Sequence, residues 1–125
     1  MSTLKADTIQ STSGGAATLT KQHAAKAWAE IDGDASTVVA FDSFNTSSFD
    51  DDGTGLYTFH LSSSMSDANY CTATNAALNG GINTSNRTAA AAAEDSNSVL
   101  IGCRNLSNSA VDAQHIGGVL FGDLA

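Results

Sequence analysis

Residues 38 to 61, Val-Val-Ala-Phe-Asp-Ser-Phe-Asn-Thr-Ser-Ser-Phe-Asp-Asp-Asp-Gly-Thr-Gly-Leu-Tyr-Thr-Phe-His-Leu, decide the fold class. In Tyr57-Thr58-Phe59-His60-Leu61 apolar and polar residues alternate. Because successive side chains of a strand point to opposite faces, Tyr57, Phe59 and Leu61 share one inward face and His60 points the other way. Val38 to Phe44 is β-branched and aromatic, and Thr46 to Phe49 continues toward a turn at Asp50 to Gly55. The segment predicts paired strands around an Asp-rich, Gly-containing turn.

Working outward, strands are predicted at 69 to 77, 98 to 105 and 114 to 121. Val99, Ile101 and Cys103 fall on one face of the second. In the third, Ile116, Gly118 and Leu120 alternate with Gly117, Val119 and Phe121, so it is apolar on both faces. That pattern suits a strand buried in a sheet or at a subunit contact. Ala89 to Ala93 is ambiguous: alanine is the best helix former, but a run this short is marginal as an isolated helix, and small side chains also suit a crowded strand. Residues 1 to 25 show no clear period. Thr8, Ser11, Thr12, Ser13, Gly14 and Gly15 break any helix there, and Ala16 to Ala27 is open to a short one. Roughly seven short strands separated by polar turns predict an antiparallel β-sandwich over residues 26 to 125, preceded by an extended N-terminal arm over residues 1 to 25.

Composition limits how such a domain is stabilised. A chain of 125 residues and 12.7 kDa makes one domain, and its folding buries on the order of 12,000 Å² of the unfolded chain's surface. Aromatic residues make up only 6% of it and many apolar residues are alanine, so each buried side chain contributes little. Burial of apolar surface between subunits would make stability inseparable from assembly, and an oligomer is expected.

The net charge of -8 is unevenly distributed: residues 1 to 26 carry +2 from Lys5, Lys21, Lys26 and Asp7, and the remainder carries -10. An acidic body repels phosphate backbones, which argues against nucleic-acid binding. The basic segment is either an arm docking through Lys5, Lys21 and Lys26 on an acidic partner, or a solvated terminus. No apolar stretch near 20 residues appears, and no apolar run follows a charged start, so a soluble chain without membrane insertion is expected.

The residues offer little for catalysis. Asp50-Asp51-Asp52-Gly53 has the oxygen density of a calcium loop, but it lacks spaced ligands and a terminal Glu, so a solvated turn is preferred and no metal or other cofactor is expected. His23, His60 and His115 lie on different elements without metal-ligand spacing. If the domain trimerises about the surface that carries it, three copies of His60 could cluster around the axis. No G-x-S-x-G elbow and no phosphate-binding glycine motif occurs, and only Glu30 and Glu94 are glutamates. No catalytic residue is assigned. Trp28 suits core packing or a subunit contact better than a sugar platform. Cys71 and Cys103 fall on separate predicted strands; a bridge is geometrically open, but two buried, reduced thiols are preferred. The Asn-X-Ser/Thr triplets follow from a composition rich in Ser, Thr and Asn.

Several spacings together resemble the small β-domains that end bacteriophage tail fibres. They are Lys26-Ala27-Trp28, Phe41-Asp42-Ser43-Phe44-Asn45-Thr46-Ser47-Ser48, Asp52-Gly53-Thr54-Gly55 with Tyr57-Thr58-Phe59, and Met65 with Asp67-Ala68-Asn69-Tyr70. The opening Leu4 to Gln10 is similar to the start of short phage fibre-type proteins. The resemblance implies a non-enzymatic virion protein, assembled in the host cytoplasm as a homotrimer with other virion proteins. It also places a strand at residues 87 to 93. Its surface-exposed tip would meet a host glycan or protein through turns carrying Asp50, Asp51, Asp52, Asn79, Asn83 and Asn86. The absence of a long shaft keeps a second expectation open, a decoration or cement protein that stabilises the phage head. A carbohydrate-processing enzyme is the third and least favoured.

Overall fold

A computed structural model describes residues 24–78 and 87–125. Among these residues the chain forms eight strands: β1 (Ala27–Asp32), β2 (Val39–Phe44), β3 (Thr46–Gly53), β4 (Leu56–Leu61), β5 (Cys71–Ala77), β6 (Arg87–Ala93), β7 (Ser98–Asn105) and β8 (His115–Phe121). They make two four-stranded sheets, ordered β2-β1-β8-β5 and β3-β4-β7-β6, with every adjacent pair antiparallel. This is the expected all-β sandwich.

The alternation seen in sequence sets which faces meet. Tyr57, Phe59 and Leu61 of β4 and Val99, Ile101 and Cys103 of β7 are buried from the second sheet. Ala27, Ala29 and Ile31 of β1 with Ile116 and Leu120 of β8 are buried from the first. Phe59 stands at the centre, its ring edge-on to Phe49 with centroids 5.0 Å apart and planes at 89°. Met65 closes one end, where it bridges to Leu124. Fully buried side chains of this size each contribute about 1.5–3 kcal/mol relative to exposure.

The sheets are joined differently along their two sides. On one side Asn45 turns the chain from β2 into β3 with φ 55, a left-handed conformation that asparagine tolerates better than most residues. Its side-chain amide donates to Lys26 O at 3.0 Å and Ser63 O at 3.1 Å, while its Oδ1 accepts from Ser63 N at 2.8 Å. On the other side Thr74 Oγ1 donates to Ala89 O at 3.0 Å and Thr72 Oγ1 to Ala91 O at 3.5 Å. The alanine run is therefore a strand whose carbonyls meet threonine hydroxyls of β5.

Three expectations are corrected. Among the described residues there are eight strands, against roughly seven expected, because Ala27–Asp32 forms β1 where the sequence leaves a short helix over 16 to 27 open. Ladder pairing of β1 with β2 on one edge and β8 on the other, with Ala27, Ala29 and Ile31 buried on the inward face, overrides alanine's helix propensity. The aspartates Asp50 to Asp52 lie within β3, and the turn itself is only Thr54-Gly55. Ladder pairing of Asp50 with Thr58 and Asp51 with Tyr57 holds them extended. Third, Cys71 is exposed at the outer face of β5, whereas Cys103 is buried; both are free thiols. Burial pushes the Cys103 thiol above its ordinary value, which keeps it protonated. Of the 1 to 25 arm, residues 1 to 23 lie outside the described residues.

The two tyrosines are tied into the frame through their hydroxyls. Tyr57 donates to Gly33 O at 2.8 Å, with Asp112 Oδ1 at 3.1 Å, and Tyr70 donates to Ser98 O. Burial foremost, then the Asp112 contact, raises the Tyr57 phenol far above its usual value. Tyr70 is pushed up to about 12, by burial first and then by the charges of Asp95 and Glu94. An unfolded tyrosine releases its proton near pH 10, while the native state still holds it. Stability is thus unaffected by these groups below about pH 10 and falls as pH rises beyond it. Absorbance at 295 nm should show no phenolate at pH 10.5, then a rise that coincides with loss of the far-ultraviolet β signal. A reversible phenolate signal near pH 10 with the fold intact would contradict these burials.

Candidate functional site

The outer face of the β2-β1-β8-β5 sheet is unusual for its exposed aromatic side chains. It arises from the strand period. With Ala27, Ala29 and Ile31 turned inward, Trp28, Glu30 and Asp32 turn outward. Trp28 pairs with Phe44 on one side and Val119 on the other; Glu30 pairs with Asp42 and Gly117. The β1–β2 register shifts after Glu30, which pairs with Asp42 while Ile31 pairs with Ala40. Phe41 is left as the extra residue of a bulge, a device that re-aims a side chain. Val39, Phe41 and Phe44 are 56%, 52% and 52% exposed.

Charges are interleaved with these rings. His115 Nδ1 lies 2.8 Å from Glu30 Oε1, and its ring stacks on Phe41 with centroids 5.0 Å apart and planes at 25°. Asp42 Oδ1 accepts from Ser43 N at 2.8 Å, and Asp32 Oδ1 from Asp34 N at 3.1 Å. Glu30 and Asp42 stand directly opposite each other across the ladder. Like charges so placed are unfavourable by several tenths of a kcal/mol, roughly 0.2–1. The Asn75 side chain covers Gly117 beside them.

The β3–β4 half of the opposite sheet presents a polar outer face. Asp50 Oδ2 lies 2.8 Å from His60 Nε2, and Thr58 Oγ1 donates to Asp52 Oδ2 at 2.7 Å. Asp51 accepts from Gly53 N at 3.0 Å within the bulge that leads into the turn. The three aspartates therefore satisfy three separate local partners and do not converge. Among the described residues no three His, Cys, Asp or Glu side chains are grouped to hold a metal ion. The β6–β7 turn is another local network: Asp95 Oδ1 accepts from Asn97 N at 2.6 Å and Ser98 Oγ at 3.0 Å. Those donors hold its carboxyl below the usual range.

Of the residues singled out in sequence, Asp50, Asp51 and Asp52 are exposed on β3. Lys26 is 9% exposed and its N–H donates to Leu120 O at 2.8 Å, which makes it the first residue of the sandwich frame. Lys5, Lys21, Asn79, Asn83 and Asn86 lie outside the described residues. Core packing or a subunit contact is the sequence expectation for Trp28, and the core part is corrected: the strand period turns Trp28 to the outer face, where it is half-buried beside Phe44. The aromatic face it makes with Phe41 and Phe44 was not read as a unit in sequence. The alternation in Ala-Trp-Ala-Glu-Ile-Asp was its available signal; the bulge that turns Phe41 outward has none. No protein-family model, no curated protein and no solved structure matches this chain.

Proposed function

We propose that this chain is a non-enzymatic structural protein of a tailed-phage virion, a small fibre-tip or knob domain that contacts the host surface. The observation that carries the reading is where the fibre-like residues fall. Lys26-Ala27-Trp28 opens β1, Phe41 to Ser48 spans the end of β2, the Asn45 corner and the start of β3, and Asp52 to Gly55 covers the end of β3 and the Thr54-Gly55 turn. Met65 and Tyr70 then tie the following segment to Leu124 and Ser98. The resembling residues thus occupy the corners, turns and clamps of one continuous frame. In this reading the domain is homotrimeric, and Lys5 and Lys21 belong to an arm that docks on a neighbouring virion protein. The exposed carboxylates of Asp50, Asp51 and Asp52 contribute to recognition of a host glycan or protein.

Counting copies per purified particle by quantitative mass spectrometry tests this. Tens of copies or fewer are expected of a tail component. Hundreds would replace the fibre reading by a head-decoration reading, and absence from purified particles would overturn both.

A further inference from the structure

The exposed rings on the outer face of the β2-β1-β8-β5 sheet come with an arrangement of charge that selects an occupant. Phe41 and Phe44 are each 52% exposed, Trp28 lies between Phe44 and Val119, and Glu30 and Asp42 are opposed across the same ladder. Among the described residues the ion pairs are His115–Glu30 and His60–Asp50, so neither Lys nor Arg neutralises this pair of carboxylates. A second copy laid face to face would bring further carboxylates against them. A guanidinium or ammonium group would instead be attracted both by ring faces and by carboxylates. A planar guanidinium suits that combination best, since it stacks on aromatic rings while donating sideways.

We propose that this face is a docking surface for an arginine-bearing segment of a partner polypeptide, with the cation seated over the Trp28/Phe44 row and paired with Glu30 and Asp42. The inference stands on the sheet's geometry alone and does not depend on a place in a virion. The copy count and the experiment below can therefore fail separately.

The test is a titration of the 15N-labelled full chain with acetyl-Arg-Arg-Arg-amide, followed by amide chemical shifts. Shifts should concentrate at Trp28, including its indole N–H, and at Phe41, Asp42 and Phe44. Apparent affinity should fall at least fivefold when sodium chloride is raised from 50 to 500 mM, as screening requires of exposed charges. The isosteric double variant E30Q/D42N, which keeps the side-chain shapes, should also weaken binding at least fivefold, and Phe44→Ser should do so without altering the charge. Each variant's unperturbed amide pattern in β4 and β7 checks its fold. Several results would overturn the proposal. They are equal binding of the uncharged citrulline tripeptide, shifts spread equally over Asp50 to Asp52, shifts at the same residues induced by maltotriose with no salt dependence, or concentration-dependent shifts there without peptide. The last two would assign the face to a sugar or to a second copy.

Discussion

Replacing Phe59 by Ala is expected to lower stability by about 3–5 kcal/mol. The ring is fully buried, it contacts Phe49 edge-on, and it sits between strands β3 and β7 at the meeting of the two sheets. Its removal would cost the transfer of the ring from water and would leave a cavity that neighbours on rigid, ladder-paired strands can only partly fill. A domain of this size loses roughly 3–5 °C of melting temperature per kcal/mol, so the midpoint should drop by about 10–20 °C. Thermal unfolding followed by circular dichroism checks it. A drop of under 5 °C would mean that the centre of the sandwich is not packed around this ring.

Gly55→Ala is the second large effect. Gly55 has φ 67, and a side-chain carbon there would come within 2.5 Å of Cys103 O and within 2.7–2.8 Å of Val111 O and N. Those are backbone atoms held by their own bonds: Cys103 N donates to Gly55 O at 2.7 Å and Val111 N to Cys103 O at 3.2 Å. Gly55 N donates in turn to Asp112 Oδ1 at 2.6 Å. Left-handed backbone costs a non-glycine residue about 1–2 kcal/mol. Displacing packed backbone adds about 1–3 kcal/mol, so a loss of about 2–5 kcal/mol is expected. Gly53, two residues earlier, is the control. Its φ of 122 also disfavours Ala, but nothing lies within 4 Å of the added carbon, so Gly53→Ala should cost less. Chemical denaturation of both variants decides the point, and equal losses would refute the close approach at Gly55.

The strands that could be read from sequence are those whose pattern is purely local. β4 shows strict alternation, β7 places Val99, Ile101 and Cys103 on one face, and β8 is apolar on both faces. What escaped depends on distant partners. The alanines of β1 look helical until β2 and β8 flank them. Asp50 and Asp52 look like turn residues until His60 and Thr58, a ladder away, hold them in a strand. Glu30 and His115 meet only because the first and last strands pair, so the charged aromatic face could not be assembled from spacing. Cys71 was expected inside, but the register of β5 against β8, with Cys71 opposite Phe121, puts it outside.

The pairing of β1 with β8 also bears on how the chain reaches this state. β1 can pair with β2 as soon as both are synthesised, but the native partner of its other edge is absent until Ile116 to Leu120 are made. Until then the Ala27, Ala29 and Ile31 face and a row of free backbone groups remain open to strands of other chains. Closure joins residues almost the whole described length apart, and such non-local pairing slows folding because the loop entropy is lost before contacts repay it. The β2-β1-β8-β5 sheet is thus completed late, and the nascent chain is most vulnerable to intermolecular pairing in the interval before β8 is made.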